Sequence, residues 1–246
     1  MSFDRIAAHI QKGNDDGLFI SSVTCAACEK QHDAEEMRRH QCGIFIDPHG
    51  RPMVELWGII MDAGTGFSQQ VWTHAGSFLP KDWIMAQWDL GFYITALAGS
   101  LAGCSLVIMS KGTPYTQQSY KVSDSFPFKW ISKKWKEGFH VTSMATSGTR
   151  WAIVMSRNAG IAEQCIELDF MYPSEGIHRR WDAGFRVTCC AATPEQAAFV
   201  LSVPRKRPAD EMQETLRTTA FPREHVKEKW DKHLYISAVA FGRTVA

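Results

Sequence analysis

The phrase W-D-L-G-F-Y-I-T at 88–95 decides the fold, because it returns as W-K-E-G-F-H-V-T at 135–142, W-D-A-G-F-R-V-T at 181–188 and W-D-K-H-L-Y-I-S at 230–237. A fifth copy, N-D-D-G-L-F-I-S at 14–21, lacks the Trp. Successive Trp residues lie 47, 46 and 49 positions apart. A period in this range marks an architecture in which one supersecondary unit recurs and only neighbouring units complete the core. Such scaffolds bind more often than they transform.

Three further landmarks recur in phase. Apolar runs end in Met or Leu at I-I-M-D (59–62), V-I-M-S (107–110), I-V-M-S (153–156) and F-V-L-S (199–202). A glutamine follows at Gln70, Gln118 and Gln164, with Glu214 as the expected fourth counterpart. Then comes an aromatic or Leu before Pro, as in Leu79-Pro80, Phe126-Pro127, Tyr172-Pro173 and Phe221-Pro222, with Ile or Val and then Trp following.

Short runs rich in β-branched and aromatic residues, bounded by Gly, predict strands. The spacing of Pro80, Ile84 and Trp88 puts all three on one face of a helix. Pro suits the first helical turn and Gly91 suits the stop. One unit is therefore three strands and a short helix, with the Trp closing the helix onto the sheet. The Gln strand is read as the third of its unit, its side chain bonded to backbone within that unit.

The ends complement each other. Residues 2–13 match the helix of a preceding unit, and L-Y-I-S-A-V-A-F at 234–241 reads as a first strand with nothing after it. The expected fold is mostly β: a propeller-like toroid of about five repeats of ~46 residues, forming one domain over 1–246. Residues 27–54 are expected as an insertion between a first strand at 18–24 and a second at 56–61. The insertion is predicted to carry at most a short helix over Ala34–His40 and a loose hairpin at 47–50, and to be dispensable for stability.

With 246 residues, 45% of them hydrophobic, the chain is long enough to bury a large core. No apolar run approaches the ~20 residues of a membrane helix, and no signal peptide opens the chain. Seven cysteines, an odd number, do not read as a secreted disulfide framework, so a reducing intracellular setting, nucleus or cytoplasm, is expected. A net charge of +1 speaks against direct nucleic-acid binding, which draws on many basic residues.

Candidate sites are few. Cys25 and Cys28 form a C-x-x-C that His32, His40 and Cys42 would have to complete as a metal centre. The spacing of that second half fits no standard site, so the residues are read as incidental and no metal or cofactor is expected. The basic residues Arg205, Lys206 and Arg207, with Arg179 and Arg180 in the preceding helix, are the candidate surface for acidic protein partners. The bland reading of 204–208 is a solvated hairpin turn between second and third strands. Thr73-His74 and His140–Thr142 find no acid to complete a triad.

The stretch M-S-K-G-T-P-Y-T-Q-Q-S-Y-K-V-S-D-S-F-P-F-K-W-I-S-K-K-W-K-E-G at 109–138 carries a resemblance, together with M-D-A-G-T-G-F at 61–67 and Y-P-S-E-G-I-H-R-R-W-D at 172–182. These phrases, and the closing Y-I-S-A-V-A-F-G-R-T-V, resemble the C-terminal domain of unknown function of plant casein-kinase-1-like nuclear Ser/Thr kinases. The resemblance implies an upstream kinase domain, with histones and signalling proteins among the substrates. It carries no catalytic residue into this chain, which shows no Gly-rich loop with a V-A-I-K lysine, no H-R-D-x-x-x-x-N and no D-F-G. H-R-R-W-D at 178–182 is only a superficial imitation. The expected role is a non-catalytic scaffold that recruits substrates or partners. Its rivals are a fragment of a kinase that bears the activity elsewhere, and a toroidal enzyme or ligand-binding domain with an axial site.

Overall fold

A computed structural model describes residues 3–29, 44–46, 50–219 and 221–242. Within them the chain is mostly β, with four small antiparallel sheets and five helices. The helices are α1 (Phe3–Asp15), α2 (Lys81–Asp89), α3 (Phe128–Lys136), α4 (Ser174–Asp182) and α5 (Arg223–Trp230).

The recurring phrase is the exit from each helix. Gly91 takes φ 81, Gly138 φ 81 and Gly184 φ 86, and His233 occupies the same place at φ 59. That left-handed residue lets the chain double back on the helix end: Gly91 N–H donates to Trp88 O and Phe92 N–H to Gln87 O, each at 2.9 Å. The same two bonds recur after α4 and α5, satisfying carbonyls the helix would otherwise strand. Each Pro lies just before its helix rather than inside the first turn. Its carbonyl accepts the first helical bond, from Ile84, Ile131, Ile177 or Val226.

Three sheets share one plan. An outer strand bearing the Gln precedes the helix, and an inner strand and a central strand follow it. They are β4 (Gln69–Ala75), β5 (Tyr93–Gly99) and β6 (Ser105–Lys111); β7 (Gln118–Ser123), β8 (Phe139–Ser147) and β9 (Arg150–Arg157); β10 (Ile161–Asp169), β11 (Arg186–Ala192) and β12 (Ala197–Pro204). In each sheet the last of the three strands lies in the middle. This corrects the unit drawn from sequence, since the Gln strand pairs with the strands after its helix, not with those before it. Each inner strand bulges at one point, between Ile94 and Ala96, Val141 and Ser143, or Val187 and Cys189.

The cores lie between consecutive sheets. Ile84 of α2 is packed with Ile94, Val107 and Met109 of its own sheet and with Ala152 and Val154 of the next. Ile131 of α3 and Met155 of β9 meet Ala198 and Val200 across the following gap. One sheet cannot bury its apolar faces alone, which is why the repeat needs neighbours.

The first sheet differs. It comprises β1 (Phe19–Glu29), β3 (Pro52–Asp62) and a short β2 (Ile44–Ile46). Both long strands run beyond their predicted limits, with Ala27 paired to Glu55 and Glu29 to Met53. Ala27, Val54 and Glu55 are buried. The flanks of the supposed insertion are therefore sheet. β2 pairs antiparallel with Pro52–Val54, on either side of the hairpin expected around 47–50; residues 47–49 of that turn, and the helix expected at 34–40, lie outside the described residues. Excising residues 27–54 removes these ladder pairs and the buried Ala27 and Val54, leaves Glu55 without its β1 partner, and is expected to cost about 2–4 kcal/mol. Differential scanning calorimetry should show a melting temperature lower by roughly 5–15 °C, and an unchanged one would return the segment to a passive loop.

The chain's end also departs from expectation. Residues 211–217 and 234–241 form no strand, although their sequence matches an outer and an inner strand. Among the described residues no central strand pairs with them. Of the four repeated Trp, Trp88, Trp135 and Trp181 are half-buried, whereas Trp230 is 51% exposed.

Candidate functional site

The repeated glutamines make the most ordered polar feature. The Gln118 amide oxygen accepts from Trp88 Nε1 at 3.0 Å and from Ile94 N–H at 2.7 Å. Its nitrogen donates to Ile94 O at 2.8 Å and to Ser156 Oγ at 3.0 Å. Gln164 repeats all four bonds with Trp135, Val141 and Ser202. Gln70 grips Ile20 N–H and O and Ser110, in the unit that lacks the Trp. The serines are held in turn by Thr95, Thr142 and Thr188.

These staples run between sheets, not within one as the sequence suggested. Each Gln leaves an outer strand and clamps the neighbouring sheet's inner strand at the residue before its bulge. A glutamine suits that place because one planar group offers two acceptor lone pairs and two donors. The bulge leaves backbone groups without ladder partners, and buried groups of that kind are costly unless bonded.

The fourth staple is Gln213, not Glu214. Gln213 accepts from Trp181 Nε1 at 3.1 Å and Val187 N–H at 2.7 Å, and donates to Val187 O at 2.9 Å. Glu214 instead pairs with Lys229 Nζ at 2.6 Å. Four staples thus link five consecutive segments of chain.

The inner elements converge. Residues of β1, β5, β8 and β11, with Val239, Ala240 and Phe241, line one cavity of about 30 Å³. That volume holds only one or two waters. The thiols at this cavity, Cys25 and Cys190, are both pushed up in pKa chiefly by burial, so they stand protonated. Cys25 lies well within β1 rather than at a strand end. Among the metal candidates, His32, His40 and Cys42 lie outside the described residues, as does the Cys28 side chain.

The basic residues divide into two groups. Arg180 Nε meets Glu167 Oε1 at 2.7 Å and Arg179 reaches the same oxygen at 4.0 Å, with the Arg179 side chain 74% exposed. Glu167 thereby pairs with Arg180 and lies at the edge of ion-pair distance from Arg179. Arg207 approaches Glu211 at 3.8 Å, and Arg205 Nε donates to Ile161 O at 3.2 Å. Residues 205–207 are exposed and leave β12 into an irregular stretch, not into the hairpin turn expected between two strands. His140 loses proton affinity by burial and, secondarily, through the Arg205 charge. Arg179, Arg205, Lys206 and Arg207 are all exposed residues.

Among the described residues no helix is long and apolar enough to cross a membrane. The model of a domain of unknown function, DUF7477, matches residues 30–246. The chain belongs to that family. It is also 60% identical over 241 residues to the casein kinase 1-like protein HD16 of Oryza sativa subsp. japonica. The match covers 98% of this chain and 30% of that relative, so the chain spans under a third of the relative's length. In the structure α1 and β1 lie upstream of the matched residues.

Proposed function

We propose that the chain is a ring of five repeats, a propeller-like toroid, serving as a non-catalytic interaction domain that recruits protein partners or substrates to a casein kinase 1-like kinase. The observation that carries the reading is the run of four Gln staples, whose five linked segments all contribute to one axial cavity. A ring so tied is a rigid platform. Its axis is too narrow for a ligand, which weighs against an axial enzyme site. The exposed basic residues Arg179, Arg205, Lys206 and Arg207 suit acidic or phosphorylated protein segments. Phosphoryl transfer needs positioned metal ligands and a phosphate-gripping lysine, and belongs in this reading to other parts of the longer relative, with this chain corresponding to its C-terminal region. An intracellular location, nuclear or cytoplasmic, goes with that role.

The test has two arms. The purified chain with ATP and magnesium is expected to transfer no phosphate to casein or histone. Fusing it to a casein-kinase-1-type catalytic domain should raise phosphorylation of an acidic, prephosphorylated substrate several-fold, and Arg205→Glu/Lys206→Glu/Arg207→Glu should remove the gain. Turnover by the chain alone, or equal rates with and without it, would sink the reading.

A further inference from the structure

Helix α3 breaks a charge rule that its counterparts keep. The second residue of α2, α4 and α5 is Asp82, Glu175 or Glu224, a carboxylate beside the positive end of the helix dipole. In α3 that place holds Lys129, and no acidic residue stands in the first turn. The dipole disfavours a cation there, so local stability gives no reason for it. Lys129, Lys133 and Lys136 are all exposed and recur at i, i+4 and i+7, on one helix face about 10 Å long. Among the described residues none of these three forms an ion pair, whereas Lys134 is held by Glu137 at 2.7 Å, Arg180 by Glu167 at 2.7 Å and Lys229 by Glu214 at 2.6 Å. The surrounding chain leans the same way. Residues 101–165 hold eight Lys and Arg against three Asp and Glu, while residues 1–100 hold seven against twelve. A net charge of +1 thus conceals a basic middle.

A second observation lies at the N-terminal end of the same face. Phe128 is 43% exposed where α2, α4 and α5 begin with Lys81, Ser174 and Arg223. Its ring lies 4.8 Å from Phe126, which in turn meets the buried Trp151 edge-on at 5.0 Å. A surface ring backed by the core in this way is already fixed, and has little freedom left to lose on binding.

We infer that the outward face of α3, Phe128 with Lys129, Lys133 and Lys136, is a docking surface for an extended acidic segment of a partner protein that carries one aromatic or large apolar residue. Alternate side chains of an extended chain point the same way about 6–7 Å apart. That matches the rise of about 6 Å from Lys129 to Lys133. Carboxylates at every second residue therefore meet the ammonium groups while the apolar residue packs on Phe128. Three cations release too few counterions to hold a nucleic acid, whose grip grows with each phosphate neutralised. One exposed ring buries too little apolar surface to hold a bilayer. The surface stands on a three-stranded sheet with a core on each side, and rests on neither the ring closure nor residues 205–207.

The probe is a fluorescein-labelled peptide of one Phe followed by three Glu alternating with Ser, titrated into the full chain by fluorescence anisotropy. Binding is expected at about 0.05 M salt and should be several-fold weaker at about 0.2 M, because salt screens exposed charges. Lys129→Glu should weaken the peptide roughly tenfold. It also restores the carboxylate of the other helices, so the melting temperature should stay the same or rise slightly. Phe128→Ser, the residue with which α4 begins, should weaken the peptide several-fold at either salt concentration. A peptide with Gln in place of Glu should not bind. Absence of binding overturns the inference, as does binding that Lys129→Glu leaves intact. A melting temperature lowered by Lys129→Glu overturns it too, since the lysine would then serve the fold. Oligo-dT or phosphatidylserine vesicles that displace the peptide at lower concentration would give the face to nucleic acid or membrane instead. If the peptide fails while the kinase-fusion gain persists, the α3 site falls and the proposed function stands. If the peptide binds without any fusion gain, the reverse holds.

Discussion

Replacing Gln118 by alanine should lower the stability of the domain by about 3–5 kcal/mol, a large effect for one uncharged surface-strand residue. Four hydrogen bonds converge on its amide, and two of them satisfy the N–H and carbonyl of Ile94 beside the β5 bulge. Alanine strands those groups, together with the Trp88 indole, between two sheets. At roughly 2–4 °C per kcal/mol for a chain of this size, the melting temperature should fall by about 6–20 °C. Glutamate is no rescue: it can accept from Trp88 and Ile94 N–H but sets a carboxylate against the Ile94 carbonyl. Gln164→Ala should match Gln118→Ala, while Gln70→Ala and Gln213→Ala, with three bonds each, should cost less. Calorimetry on the four alanine variants checks the order; a flat series within ±0.5 kcal/mol, the range of ordinary surface changes, would remove the staple from the account.

That staple was half legible in the sequence. Gln70, Gln118 and Gln164 stand in phase, and a repeated polar residue serves a repeated need. What periodicity cannot say is which sheet receives the bond, because strand pairing across a helix is a three-dimensional choice. Gln213 was missed by one position. The separation from Trp to its Gln, 30, 29 and then 32 residues, drifts enough for an adjacent Glu to pass as the counterpart. Residue chemistry was the better guide, since a carboxylate cannot donate to Val187 O. Three of the four helix exits were legible, because the left-handed residue three past Trp88, Trp135 and Trp181 is Gly, while His233 takes that place after Trp230. The lengths of β1 and β3 were not. They extend only because each gives the other a ladder partner, a condition neither run of residues displays alone. Nor does any motif mark the basic surface as a contact, and that Glu167 pairs with Arg180 of α4 could be told only from coordinates.

A comparison at one repeat position tests whether the last unit is truly incomplete. Ile131 of α3 is 0% exposed, walled by Phe139, Val141 and Met155 of its own sheet and by Ala198 and Val200 of the next. Ile131→Ala removes buried methyl and methylene groups and leaves a cavity that two sheets hold open. The expected cost is about 2–5 kcal/mol, or roughly 5–15 °C in melting temperature. Val226 holds the same place in α5, yet it is only half-buried and no helix-facing core of described residues closes over it. Val226→Ala should therefore cost under about 1 kcal/mol, because partly exposed atoms forfeit little transfer energy and leave no enclosed void. Equal costs for Ile131→Ala and Val226→Ala would show instead that α5 already sits in a finished core.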